Sequence, residues 1–270
     1  MTGSGAFGAG LIGALTGLGG GIVIVPLLTI ACGVDIRYAV GASLISVIAT
    51  SSGAAAAYVR EGFSNIRIGM LLETATTAGA LAGAGVAAFV STGAIATVFG
   101  LVLLYSAYLT LRPHDVVASD APPDRLATWL GLAAAYPTPD GPRAYAARRV
   151  AAGYGLMFIA GILSGLLGIG SGAVKVLAMD RVMALPFKVS TTTSNFMIGV
   201  TAAASAGVYL HRGYIDPGLA LPVMLGVLAG ALAGARVLTH ARTHALRLVF
   251  VGVVVLLSLE MLYRGVTGRM

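Results

Sequence analysis

The chain has 270 residues, of which 57% are hydrophobic and only 10% charged, with a mean hydropathy of +0.92. A soluble domain carries about 25% charged residues, so this surface meets lipid, and the net charge of +7 marks cytoplasmic loops rather than a nucleic-acid footprint. The single cysteine, Cys32, excludes an intramolecular disulfide and a multi-cysteine metal or iron–sulfur centre, and it reads as a small packing residue.

In chain order, Met1 to Gly5 lacks a basic region, so a cleaved signal peptide is not expected. A long apolar stretch follows over about 6–34, interrupted by Gly17-Leu18-Gly19-Gly20-Gly21. Membrane spans need roughly 20 apolar residues and are predicted at about 38–58, 66–89 and 94–111. A segment rich in proline and arginine comes next, read as a loop with a short amphipathic helix near Asp124 to Ala135. The second long stretch, about 150–180, is interrupted by Gly168-Ile169-Gly170-Ser171-Gly172, and further spans are predicted at about 189–210, 217–237 and 244–263. This divides the chain into a first transmembrane repeat (1–112), a cytoplasmic linker (113–149) and a second transmembrane repeat (150–270).

The two apolar parts are repeats at an offset of 151 residues. At that offset the glycine clusters coincide, and Ser43, Thr50, Tyr58 and Gly62 meet Ser194, Thr201, Tyr209 and Gly213. Gly79-Ala80-Leu81-Ala82-Gly83 recurs letter for letter as Gly230-Ala231-Leu232-Ala233-Gly234. Two apolar halves, each opening with a glycine-broken helix, form the pattern of a secondary transporter with a central site. The expected fold is an all-α polytopic membrane protein.

Each glycine-broken segment is either one kinked span, giving parallel repeats, or a re-entrant hairpin, giving inverted ones. Apart from Lys175, inside a membrane segment, sixteen Lys and Arg remain to be placed. Kinked spans place ten of them on the side of the central loop and six on the other. Re-entrant hairpins bring Arg181, Lys188, Arg236, Arg242 and Arg247 to the loop side and send Arg212, Arg264 and Arg269 away, twelve against four. The positive-inside rule favours this second, inverted arrangement, with the central loop cytoplasmic and both termini outside.

A glycine cluster inside a membrane helix frees backbone groups, which is tolerable only in a protein-lined or wet cavity. The helix that restarts after it turns its positive N-terminal end towards that cavity, an arrangement suited to an anion. Candidate anion-binding residues are therefore Gly19, Gly20 and Gly21 in the first cluster and Gly170, Ser171 and Gly172 in the second. Close helix packing is the alternative reading. Lys175, flanked by Val174 and Val176, is an ionisable residue in a membrane segment, a functional candidate by default; it either neutralises a bound anion or snorkels to an interface.

Ser43, Ser194 and Asn195 lie in hydroxyl-rich runs (Ser46, Thr50, Ser51 and Ser52; Ser190 to Thr193) whose donors can replace an oxyanion's hydration shell or hold helices together. Glu73, beside Thr74, Thr76 and Thr77, is the candidate for a coupling proton, with a structural or interfacial acid as the alternative. Glu260 reads as interfacial, and the paired Gly79 and Gly83 as packing. Gly170-Ser171-Gly172 resembles the nucleophile of an intramembrane serine protease, but no histidine lies deep in a span to act as base. The glycines are neither a Walker loop nor a dinucleotide fingerprint. No enzyme activity, cofactor or metal is expected.

The chain resembles the sulfite exporter TauE/SafE family, also called the TSUP family of membrane permeases. The residues that carry the resemblance are Gly17 to Gly21 with Pro26-Leu27-Leu28, Ala39-Val40-Gly41-Ala42-Ser43-Leu44, Tyr58 with Gly62, and the Gly79 to Gly83 run. The second half departs from the pattern, with Leu177 where Pro26 would repeat and Ser171 in place of a glycine. The resemblance implies export of sulfite or an organosulfonate such as sulfoacetate across the cell's inner membrane, driven by an ion gradient or the membrane potential. A potential of 100 mV, inside negative, favours anion exit by about 2.3 kcal/mol per charge. The expected partners are a small anion, the lipid bilayer, a proton or other coupling ion and, as an open possibility, further copies of the chain. An anion channel and a non-transporting membrane interaction protein are the competing readings.

Overall fold

The computed structural model describes residues 6–10, 21–60, 64–111, 124–137, 141–238 and 243–268. Its long helices fall where the apolar runs lie: α1 (Gly21–Ala31), α2 (Ile36–Arg60), α3 (Ile66–Ala87) and α4 (Thr92–Leu111) in the first half. The second half has α6 (Val150–Leu167), α7 (Gly172–Leu177) continued by a π-helical turn (Ala178–Val182), α8 (Phe187–His211), α9 (Pro217–Leu238) and α10 (Thr243–Thr267). The linker holds α5 (Arg125–Trp129) and a two-stranded antiparallel ribbon, β1 (Ala134–Tyr136) with β2 (Arg143–Tyr145). The ribbon departs from the expected loop: Ala134–Tyr136 and Arg143–Tyr145 pair with Ala135 opposite Ala144, in a segment whose strands are too short to show a period.

The helix boundaries repeat as the letters do. Both ends of α2 recur in α8 and both ends of α3 in α9 at the 151-residue offset, which also carries α1 onto 172–182 and the start of α4 onto that of α10. Contacts repeat too. The Gly161 position on α6 abuts the Thr76 carbonyl, and the Gly10 position abuts the carbonyl of Val227, the repeat mate of Thr76. Gly79 and Gly83 on α3 abut the carbonyls of Phe158 and Ile162 on α6, so these glycines do bring two helices close.

One buried cluster joins Ile22, Val25 and Leu28 of α1 to Leu44 and Val47 of α2, Phe99 and Leu103 of α4, and Val223 and Val227 of α9. A second joins Ile68 and Leu72 of α3 to Leu132 of the linker, Met157 of α6, Met179 and Met183 around the π turn, and Met197 of α8. Met70, Phe89, Leu101, Leu225, Leu232 and Leu256 face outwards. Large apolar side chains on outer faces suit a lipid solvent. Val150–Leu167 is long and apolar enough throughout to cross a membrane, and shorter apolar stretches lie within α1, α2, α4 and α9. Cys32 is exposed at the end of α1, so it does not pack the interior as expected.

Polar contacts tie the helix ends into two groups. In one, the start of α2 and the end of α8 both reach the end of α3. Arg37 Nη2 donates to the Val90 carbonyl at 3.0 Å, while Arg212 donates to the carbonyls of Ala84 (2.9 Å) and Gly85 (3.0 Å). The Tyr38 and Tyr214 rings meet edge-on there at 5.6 Å, and Arg37 lies over the Tyr214 ring.

In the other group, Asn65 caps α3 by accepting from Ile68 N–H, and it donates to Tyr145 Oη at 2.8 Å. Burial raises the Tyr145 phenol above its usual range, and the Asn65 bond offsets part of that rise. Asp124 accepts from Val150 N–H at the start of α6, where a carboxylate faces the positive end of the helix. Arg148 N–H donates to the Met183 carbonyl at 3.0 Å, so the residue that follows the π turn lies beside the start of α6.

Candidate functional site

The second glycine cluster is a run of left-handed backbone. Gly168 (φ 67°) ends α6, its N–H bonded to the Ser164 carbonyl, and Gly170 (φ 71°) and Ser171 (φ 47°) follow before α7 restarts at Gly172. The break is packed from both halves. A side chain at Gly170 would meet Val47 of α2 and Ile198 of α8, which are repeat mates. Gly21, at the end of the first cluster, lies against the Gly168 carbonyl. Gly21 of the first half therefore meets the second glycine cluster. Gly19 and Gly20 lie outside the described residues.

The paired serines brace this junction. Ser43 Oγ donates to the Gly168 carbonyl at 2.9 Å, and its mate Ser194 Oγ donates to the Gly172 carbonyl at 3.3 Å. Both hydroxyl protons thus serve backbone carbonyls at the break, that of Gly168 just past the end of α6 and that of Gly172 at the start of α7. Neighbouring hydroxyls mostly donate within their own helices, as Ser46 does to Ala42, Ser52 to Ile48, Thr191 to Phe187 and Thr192 to Lys188. Asn195 is half-buried on α8. Ser171 is buried, and its Oγ has no hydrogen-bond partner.

Beside the break lies a fully enclosed charge. Lys175, on the first turn of α7, has no exposed surface, so it does not snorkel. Helical side chains lean back towards the N-terminus, here towards the glycine break. Lys175 Nζ donates to Thr201 Oγ1 at 2.5 Å, and Thr201 Oγ1 donates to Glu73 Oε1 at 2.6 Å. Thr201 has a single proton, and its contact with the Met197 carbonyl is longer, at 3.0 Å. Glu73 Oε1 also accepts from Thr77 Oγ1 at 3.1 Å. Glu73 Oε2 makes no hydrogen bond and lies 3.8 Å from Lys175 Nζ. Glu73 is buried, so it is not the interfacial acid of the alternative reading. Three helices from both halves thus assemble a neutral unit: acid from α3, hydroxyl from α8, ammonium from α7.

This join unites two candidates that the sequence treats separately and adds two residues, Thr201 and Thr77. Thr77 stands one helical turn after Glu73, a spacing that could have flagged it. Thr201 carried one signal, its identity with Thr50 at the repeat offset. Glu260 pairs with Arg264 on the half-exposed face of α10, at 2.8 Å.

No solved structure matches this chain. It is 27% identical over 266 residues to the probable membrane transporter protein YunE of Bacillus subtilis (strain 168), covering 96% of this chain and 95% of that one. It is also 27% identical over 220 residues to the probable membrane transporter protein YdhB of the same organism, covering 80% of this chain and 81% of the relative. The family model described as "Sulfite exporter TauE/SafE" matches residues 3–261, nearly the whole length. With the sequence resemblance and a helical bundle built from two repeats, this match makes the chain a member of the sulfite exporter TauE/SafE family, a membrane transporter.

Proposed function

We propose that the protein exports a small sulfur-containing anion, sulfite or an organosulfonate such as sulfoacetate, across the inner membrane by alternating access. One observation carries the reading: an enclosed lysine beside the glycine break of the second half, where Gly21 of the first half packs against it. A lysine is costly in a membrane segment, and an anion arriving between the halves would find an ammonium and the spare hydroxyl of Ser171. The sulfur in the assignment comes from the family. Its name specifies sulfite export, and the two relatives are described as transporters without a substrate.

The multi-pass, inverted arrangement is the scaffold of this proposal. It is supported by Arg37 at the start of α2 and Arg212 at the end of α8, which reach the same end of α3 although α2 and α8 are repeat mates. Mates that run in opposite directions are what an inverted repeat requires, and kinked spans would have put these arginines on opposite faces. The bond from Arg148 N–H to the Met183 carbonyl supports a re-entrant reading of 150–182, because the segment's two ends lie together. Inverted halves give a carrier two access routes related by exchange of the halves, with one site between them.

The test is tracer flux of labelled sulfite and sulfoacetate in proteoliposomes, for the wild type and Lys175→Ala. Saturable wild-type flux that the substitution abolishes is the expected result. Saturable flux that survives would remove Lys175 from the site, and folded protein that moves neither anion would overturn the substrate class.

A further inference from the structure

The Lys175–Glu73 pair raises a question that anion transport alone does not answer, namely what becomes of the carboxylate when an anion takes the lysine. We infer that Glu73 is an internal stand-in for the transported anion, and that the anion displaces it from Lys175 only as a proton joins Glu73, so that each anion crosses with one proton. The inference rests on the transport reading above and deepens it.

The charge count is the argument. As it stands, the site holds one ammonium and one carboxylate, both buried, with Thr201 bonded to each. An anion on Lys175 would leave two negative groups a few ångströms apart in a medium of low dielectric, where like charges repel far more strongly than in water. A proton on Glu73 removes that conflict and returns the site to neutrality. The proton comes from the aqueous side to which the site is open and adds to a carboxylate oxygen of Glu73. The hydrogen-bonded groups remain matched, since a protonated Glu73 can donate to Thr201 Oγ1, which then turns its own proton to the Met197 carbonyl. On the far side the anion leaves, Glu73 gives up its proton to the same compartment, and the carboxylate returns to Lys175. The empty carrier then reorients as the ion pair seen in the structure.

The surrounding helices supply no other carboxylate bonded to Lys175 or to Thr201 among the contacts described. Arg67 on α3 bonds the Gly131 carbonyl, and Tyr154 on α6 pairs with Thr74. Arg181, and Lys188 and His211 on α8, are exposed, and Tyr209 on α8 donates to the Leu166 carbonyl. Asp180, in the π turn, is the other buried acid on these elements. Across the repeat, Glu73 and Lys175 fall on Met224 and Ile24, so the other half has no second pair to share the charge. The consequence is that the membrane potential acts on one charge fewer than the anion carries. A monoanion would cross without net charge, with its own gradient and the pH difference setting direction.

The deciding experiment counts charges. Proteoliposomes of the full chain are held at a fixed potential with potassium and valinomycin and given labelled sulfoacetate, which carries two negative charges at neutral pH. Current, tracer and the pH reported by a trapped dye are read together. The expected wild-type result is one net charge per sulfoacetate, acidification of the receiving compartment, and faster flux when the source side is acidic. In Glu73→Gln, each sulfoacetate that crosses is expected to carry two charges, with no acidification and no response to pH. Wild-type flux at two charges per molecule with no pH change would overturn the proton inference and leave the transport reading standing. Flux in Glu73→Gln that still acidifies the lumen would overturn it equally. A variant that does not fold leaves the wild-type charge count to decide, and no flux in folded wild type overturns both readings.

Discussion

The site and its repeat counterpart make an instructive pair. Glu73, Thr201 and Lys175 are linked in one place; their mates at the repeat offset are Met224, Thr50 and Ile24. Thr201 bridges two charges, whereas Thr50 Oγ1 donates back to the carbonyls of Ser46 and Val47 in its own helix. Ile24 is as buried as Lys175, within an apolar cluster. The helices, their boundaries and the Gly161–Thr76 and Gly10–Val227 contacts are duplicated, and the charges are not. On the proposed reading, the duplicated scaffold would give a carrier two similar access routes, and the unduplicated charge one site to expose to either.

Copying one side onto the other tests this most severely. Glu73→Met alone leaves Lys175 as an uncompensated buried charge, and removing one partner of a buried pair costs about 3–5 kcal/mol. The double variant Glu73→Met with Lys175→Ile, which reproduces the counterpart, is expected to recover most of that loss in thermal unfolding in detergent, and to move no anion. Stability that fails to recover would mean that the pair, rather than the scaffold, holds the halves together.

The bridging hydroxyl comes next. Thr201→Val keeps the shape and removes the bond between the charges, with an expected loss of about 1–3 kcal/mol for groups left unsatisfied. Thr50→Val removes only a within-helix bond, and a change below about 1 kcal/mol is expected. Equal losses at the two positions would break the asymmetry between Thr201 and Thr50. The duplicated contacts give the opposite forecast. Gly161→Ala and Gly10→Ala each drive a methyl group into the carbonyl of a neighbouring helix, and similar losses of about 1–3 kcal/mol are expected. Gly155→Ala, where nothing lies within contact distance, is the control.

Much of this was legible in the sequence, and the parts that were not have a common cause. The spans read as 38–58, 66–89 and 189–210 are the helices Ile36–Arg60, Ile66–Ala87 and Phe187–His211, because a continuous apolar run with polar ends leaves little choice of element. The glycine break at 168–172 was visible for the same reason, as an interruption of such a run. Lys175 and Glu73 stood out one at a time, each as an ion in an apolar setting. Their meeting did not, because it depends on α3, α7 and α8 packing around one point, and no local pattern encodes a contact between distant helices. Thr201 was hidden more deeply, since one threonine among many in membrane helices is ordinary. The ribbon at Ala134–Tyr145 escaped because three-residue strands have no readable alternation.

Ser171 supplies the smallest expected effect and the finest contrast. Its mate is Gly20, in a cluster where glycine is otherwise repeated, yet Ser171 adopts φ 47°, a left-handed conformation that costs a non-glycine residue about 1 kcal/mol. Its hydroxyl is buried without a partner, a further cost. Neither cost is offset by a contact in the structure, so the substitution Ser171→Gly is expected to stabilise the protein by about 1 kcal/mol. If the hydroxyl is kept for the anion, the same change raises KM for sulfite or sulfoacetate while the melting temperature rises. A stabilised variant with unchanged KM would show that Ser171 plays no part in binding, leaving Lys175 as the candidate contact.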